Sequence, residues 1–219
     1  MNKPAVVVDD ITKQYYLERP QTIKKWFRHM FSPFKRFTVI KNFSLKINKG
    51  EFVLLVGENG AGKTTLLKLI AGITVPDQGK IVVHGKVAPL IELSAGFNNE
   101  LTGRENIVTY ATILGIDTKT IAEIMPKIIR FSGLHHFIDV PLKRYSSGMI
   151  SRLAFSIAIY SKPDILLLDE IFAAGDRRFR EKSIKKLFEF KKKGVTIILS
   201  THYEKSIPFA DRNIHLKPL

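Results

Sequence analysis

The chain has 219 residues, 45% of them hydrophobic and 25% charged, which is enough for one domain with a proper core. It contains no cysteine, which excludes disulfides and thiolate metal sites and points to a reducing compartment. Its 35 Lys and Arg against 20 Asp and Glu leave a net charge of +15, an excess that suits a polyanion, an anionic membrane surface or simply a solvated basic face. The excess is spread over Lys24-Lys25, Lys35-Arg36, Arg177-Arg178-Phe179-Arg180 and Lys191-Lys192-Lys193. Met1-Asn2-Lys3-Pro4, followed by a short apolar run, is no secretory signal. No window approaches the roughly 18 apolar residues of a membrane span. There is no internal repeat or low-complexity segment.

Ala5–Ile11 reads as a strand, followed by Thr12-Lys13-Gln14-Tyr15-Tyr16. A basic, aromatic stretch then runs from about Leu17 to Thr38. Within it Ile23, Trp26, Phe27, Met30 and Phe31 recur at helical spacing, with Lys24, Lys25 and Arg28 on the other side. Such an amphipathic helix either docks on a partner or interface, or packs back on its own domain. Ser32-Pro33 ends it. Val39–Ile47 and Phe52–Val56 read as strands joined by the turn Asn48-Lys49-Gly50.

Gly57-Glu58-Asn59-Gly60-Ala61-Gly62-Lys63-Thr64 follows, and Thr65–Ala71 continues as a helix to about Gly72. Strand, G-x-x-x-x-G-K-T and helix together form a phosphate-binding loop. The glycines, with Asn59 and Thr65 beside them, let backbone N–H groups curl around an anion at the positive end of a helix. Lys63 is placed to reach the β and γ phosphates, and Thr64 to give a hydroxyl to Mg²⁺. The chain is therefore expected to bind a nucleoside triphosphate.

Pro76-Asp77-Gln78-Gly79 turns into the strand Ile81-Val82-Val83, and Val87–Leu93 reads as another strand. Glu105 to about Leu114 and Thr118 to about Gly133 read as helices of an inserted lobe. Ile165–Leu168 is wholly apolar and Val195–Leu199 is apolar but for Thr196, as strands of a parallel sheet buried on both faces should be. Ser151–Ser161 and Asp176–Lys193 supply helices between them. The expected fold is an α/β nucleotide-binding core with a helical subdomain. Asp169 and Glu170 end the apolar run Ile165–Leu168, at the end of the sheet where ligands bind. Asp169 is placed to hold Mg²⁺ through water, and Glu170 is a candidate general base for an attacking water.

Tyr145-Ser146-Ser147-Gly148-Met149, opening a helix that contains Arg152, resembles the signature motif of ATP-binding-cassette (ABC) ATPases in a degenerate form of L-S-G-G-Q. Ser200-Thr201-His202 resembles that family's switch histidine. With the phosphate loop and Asp169-Glu170 in the same order, the resemblance to an ABC nucleotide-binding subunit covers nearly the whole chain. It implies a P-loop NTPase core of ABC type with N-terminal antiparallel β elements, forming one domain over residues 1–219. Residues from about 94 to 160 would be the helical, signature-bearing subdomain, and about 17 to 37 an extra amphipathic element. The cofactors implied are ATP and Mg²⁺.

The resemblance also implies roles. Two copies would pair head to tail, so that Ser146, Ser147 and Gly148 of one touch the γ-phosphate held by the other. His202 would bond that phosphate near the attacking water, and Asp176 would be the inter-subunit aspartate. Tyr15 would stack on adenine, with Tyr16 one residue away. The family usually has a Gln in the stretch occupied by Val87-Ala88-Pro89-Leu90-Ile91-Glu92, and none occurs there. Glu92 is the best substitute as a Mg²⁺ ligand.

Ser94-Ala95-Gly96-Phe97-Asn98-Asn99-Glu100-Leu101-Thr102-Gly103-Arg104-Glu105-Asn106 looks like the A-G-F-x-x-x-L-T-G-R-E-N stretch of polysaccharide exporters. That subfamily exports capsular polysaccharide, O-antigen and wall teichoic acid from bacteria. The resemblance implies a homodimeric ATPase beneath two membrane permease subunits, on the cytoplasmic side of the inner membrane. It would drive export of a lipid-linked polysaccharide without binding it directly, and would have no nucleic-acid partner. The stop at Leu219 favours the capsule-type arrangement, without a C-terminal carbohydrate-binding domain. Two alternatives stay open: an ABC ATPase for another transported substrate, or a soluble cassette acting on ribosomes or nucleic acid.

Overall fold

The computed structural model describes residues 3–16, 36–91, 96–169, 176–202 and 207–219. In chain order the strands are β1 (Pro4–Tyr16), β2 (Arg36–Asn48), β3 (Phe52–Val56), β4 (Gln78–Val83), β5 (Val87–Leu90), β6 (Ile165–Leu168), β7 (Thr196–Thr201) and β8 (Arg212–His215). The helices are α1 (Lys63–Ile70), α2 (Gly103–Ile113), α3 (Thr118–Ser132), α4 (Ser147–Tyr160) and α5 (Arg177–Lys192).

Five strands form a parallel sheet in the order β5-β6-β7-β3-β8. Every residue of β3 and β6 is buried, as a sheet covered on both faces requires. Alternation sorts their side chains between two cores. Val53, Leu55, Ile165, Leu167 and Ile198 face a core shared with α1 and the N-terminal strands. Phe52, Leu54, Leu166, Leu168, Ile197 and Leu199 face a core shared with α4 and α5. The second sheet is antiparallel, in the order β2-β1-β4, and brings Val6, Val8, Ile11 and Ile47 onto the first core.

The lobe has a third core, in which Ile107, Ile121, Ile124 and Ile128 of α2 and α3 meet Leu153 and Ile157 of α4. Helix α4 is therefore two-faced, because its Ala154, Phe155, Ala158 and Ile159 belong to the sheet-side core. Its start is set by Ser146, whose hydroxyl accepts the Met149 N–H at 3.2 Å. Thr102 and Glu105 form a reciprocal capping box at the start of α2, and Asp117 caps α3. Tyr110 of α2 donates its hydroxyl to the Pro89 carbonyl of β5 at 3.0 Å, joining lobe to sheet. Burial pushes that phenol up to about 12.

Most of the expected elements are found, with shifted ends. β1 runs on through polar Thr12–Tyr16 because Thr12 pairs with Gln78 of β4 and Lys13–Tyr16 with Ile40–Arg36 of β2, partnerships that periodicity does not reveal. β5 ends at Leu90, and α4 starts at Ser147 instead of Ser151. β8 was not expected. It is a mostly exposed edge strand without an apolar pattern, held by parallel pairing to β3. Residues 17–35 of the amphipathic segment lie outside the described residues, while Arg36 and Phe37 of its expected end open β2. Among the described residues no helix is long and apolar enough to cross a membrane.

Candidate nucleotide site

The loop between β3 and α1 has to turn tightly against other backbone. A Cβ on Gly57 would lie 2.4 Å from the Leu216 carbonyl oxygen, so only glycine fits there. Gly62 has φ of 87° and caps α1 without offering a side chain. The first turn of α1 holds no acidic residue, which leaves its positive end open to an anion. Lys63 is buried, and its ammonium donates to the carbonyls of Gly57 at 2.7 Å and Glu58 at 3.0 Å. Those bonds hold a cation across the loop.

Three elements converge on the Asp169 carboxylate, which is buried just past the end of β6. Thr64 of α1 donates its hydroxyl to Oδ2 at 2.8 Å, and Ser200 of β7 donates its hydroxyl to Oδ1. A carboxylate and a hydroxyl are hard oxygen donors that fit Mg²⁺. Among the described residues no group of three or more His, Cys, Asp or Glu could hold a metal ion. Thr64 and Asp169 would be able to hold such an ion together with water, which Mg²⁺ usually keeps in its shell.

The cavity in front of these groups measures about 260 Å³. It brings together Asn59, Gly60, Gly62, Lys63, Thr64, Thr65, Asp169 and His202, all expected from the sequence. Glu170 and Glu92 lie outside the described residues. The aromatic in the lining is Phe37 of β2; Tyr15 is not among the lining residues. The two rings are directly opposite in the β1–β2 register, and Lys13 Nζ lies 5.4 Å from the Tyr15 ring. Phe37 was missed because only the strand pairing brings it beside Tyr15.

Ser146, Ser147 and Gly148 do not line this cavity. Ser146 and Ser147 are exposed at the N-terminus of α4, behind a turn anchored by Tyr145, whose hydroxyl donates to the Phe137 carbonyl at 2.6 Å. Asp176 caps α5 by accepting the Phe179 N–H at 2.8 Å, and its other oxygen accepts from Arg152 of α4 at 3.3 Å. That pair ties the start of α5 to α4.

The stretch from Gly96 to Asn106 closes on itself. Asn106 is fully buried, and its amide donates to the carbonyls of Asn98, Leu101 and Thr102 while its oxygen accepts the Asn98 N–H. Phe97 meets Tyr110 edge to face at 5.1 Å. A Cβ on Gly103 would lie 2.4 Å from the Tyr145 hydroxyl. The residues of this stretch thus brace the turn in front of α4.

The fold is similar to that of a dimeric post-hydrolysis ATP-binding cassette bound to ADP and Pi, with a TM-score of 0.80 at 21% identity over 97% of this chain and 96% of that one. In sequence the chain is 44% identical, over 91% of its length and 84% of the relative, to the O-antigen export system ATP-binding protein RfbB of Klebsiella pneumoniae. It is 40% identical to the ABC transporter protein AbcA of Aeromonas salmonicida, over 99% of this chain and 71% of that protein. It is 41% identical to the teichoic acids export ATP-binding protein TagH of Bacillus cereus, over 90% of this chain but only 36% of the longer relative. The family model described as ABC transporter matches residues 40–173. With its phosphate loop, buried Asp169 and His202 drawn around one cavity, the chain belongs to the ABC transporter family.

Proposed function

We propose that this chain is the ATP-hydrolysing subunit of a bacterial exporter of lipid-linked polysaccharide, of the capsule, O-antigen or teichoic-acid type. The observation that carries this reading is the 44% identity, over 91% of the chain, to an O-antigen export ATP-binding protein. The cavity supports the chemistry. Lys63 and the open N-terminus of α1 would neutralise phosphate charge, and Thr64 and Asp169 would hold Mg²⁺. When bound, Mg²⁺ would lower the cost of negative charge building on the transferred phosphoryl group. Glu170 would take a proton from the attacking water, and His202 would position the phosphate.

Because Ser146, Ser147 and Gly148 lie away from the chain's own cavity, they are free to meet a nucleotide held by a second copy. The working unit would be a homodimer under two permease subunits on the cytoplasmic side of the inner membrane. Residues 1–219 would form a single ABC ATPase domain, with about 94–160 as its helical subdomain. The cargo would pass through the permease without touching this chain.

Deleting the gene in its host and analysing surface and internal glycan tests the reading. Loss of the surface polymer, with lipid-linked polymer accumulating inside, is the expected outcome. An unchanged surface coat would overturn export of polysaccharide and leave the ATPase chemistry standing.

A further inference from the structure

β3, β6 and β7 run parallel, and the phosphate loop follows the C-terminal end of β3. At the opposite end of the sheet, a cleft of about 450 Å³ opens between the helical lobe and the core. Its floor is apolar, made by the buried Ile124 of α3, Ile159 of α4, Pro163 and Phe190 of α5. Its rim is cationic. Lys127 comes from α3, Lys162 from just past α4, and Lys193 from the end of α5. All three are exposed, and among the described residues none has an ion pair or side-chain hydrogen bond. The fourth lysine, Lys186, is bonded to Glu189 at 2.8 Å.

Opposing charge is present but smaller. Glu123 of α3 lines the cleft, and α4 and α5 end there, each helix end carrying about −0.5. Three free lysines against these leave roughly +1, enough to favour an anion. The backbone adds an independent observation. α1, α2, α3 and α5 are each followed by a glycine at positive φ: Gly72, Gly115, Gly133 and Gly194. α4 is followed instead by Lys162 at φ 51°, a conformation disfavoured for a side-chain-bearing residue. A lysine stands where glycine would be the easier choice, and it lines the cleft.

We propose that this cleft is a second anion site, taking a phosphate ester. The charged head would lie among Lys127, Lys162 and Lys193, and the apolar portion would cover Ile124, Ile159 and Phe190. Because α3 belongs to the lobe and α5 to the core, an occupant joins the two at the end of the sheet remote from the nucleotide.

The test is calorimetric titration of the full chain with 1-naphthyl phosphate, the catalytic site being saturated beforehand with Mg²⁺ and a non-hydrolysable ATP analogue. One saturable site is expected. Lys162→Gly should weaken binding about ten-fold, the scale of a lost charge-assisted hydrogen bond. It should also leave the thermal midpoint unchanged or raised, because glycine suits the positive φ. Equal binding by wild type and Lys162→Gly, or no saturable binding, would overturn the proposal. Competition by GMP would identify a soluble nucleotide as the source of the phosphate ester, and competition by monomeric dihexanoyl phosphatidate a lipid headgroup. Failure of both to compete would overturn the assignment to a phosphate ester.

Discussion

The Thr64 hydroxyl donates to Asp169 Oδ2 at 2.8 Å, although the two residues are 105 positions apart. Ser200 donates to the other oxygen of the same carboxylate, so both its oxygens accept from hydroxyls. Asp169→Asn keeps the shape but removes the charge and turns one acceptor into a donor facing a hydroxyl. ATP turnover is expected to fall at least ~100-fold, the scale of losing one electrostatic stabiliser, while the chain still folds. An ATPase assay beside a thermal melt checks both halves, and near-normal turnover would remove Asp169 from the machinery.

Glu170, proposed as the general base, follows Asp169 directly in the sequence. Glu170→Gln should retain ATP and hydrolyse it at least ~100-fold more slowly, the range for loss of a general base. Filter binding with labelled ATP, alongside phosphate release, reads the two steps. Wild-type turnover in this variant would rule Glu170 out as the base.

The opposed rings of Tyr15 and Phe37 make a sharper distinction. Phe37 lines the cavity and Tyr15 does not, so Phe37→Ala should lose the larger share of nucleotide affinity. Base stacking on an aromatic ring is worth about 1–3 kcal/mol, which corresponds to a loss of roughly five-fold to 150-fold. Titration with a fluorescent ATP analogue would rank the two variants. A larger loss in Tyr15→Ala would give the stacking role to Tyr15.

Asp176 caps α5 and meets Arg152 across to α4. Asp176→Ala removes both contacts and should destabilise the fold by about 1 kcal/mol, the usual cost of a lost cap. Asp176→Asn keeps a capping oxygen and should cost less, since the Arg152 pair is half exposed. Urea unfolding of the two variants would show the difference; equal losses would mean that the cap contributes nothing.

Asp211 supplies a pH dependence. Burial alone would raise its carboxyl, but hydrogen bonds from Lys191 and the Phe52 N–H, with the Lys191 charge, hold it below the usual carboxylate range. A depressed folded-state value contributes stability that is fully present above the unfolded value of about 4 and is lost as pH falls through the lower folded one. The stability gap between wild type and Asp211→Asn should therefore be constant from pH 5 to 7 and shrink below about pH 4. A gap that widens on acidification would contradict this coupling.

The core strands were legible because burial on both faces leaves its mark within five residues. Phe52–Val56 and Ile165–Leu168 are found at the expected bounds. That the loop, Asp169 and His202 gather around one cavity was legible because each follows the C-terminal end of a buried parallel strand. What the sequence hid depends on pairing. Arg212–His215 has no pattern of its own and becomes a strand only against β3. Phe37 joins the site only through a register that no local signal specifies. Asn106 looked like a family marker, and its four hydrogen bonds reveal it as the centre of a closed loop.

Helix α4 gives one face to the lobe and the other to the sheet. Neither core can come apart without exposing a side of this helix, so its hydrogen bonds open only when much of the domain unfolds. Ser146 and Ser147 sit at the start of a helix anchored in two cores, not on a loosely held loop. The surface proposed to meet a second copy would therefore be as durable as the domain itself.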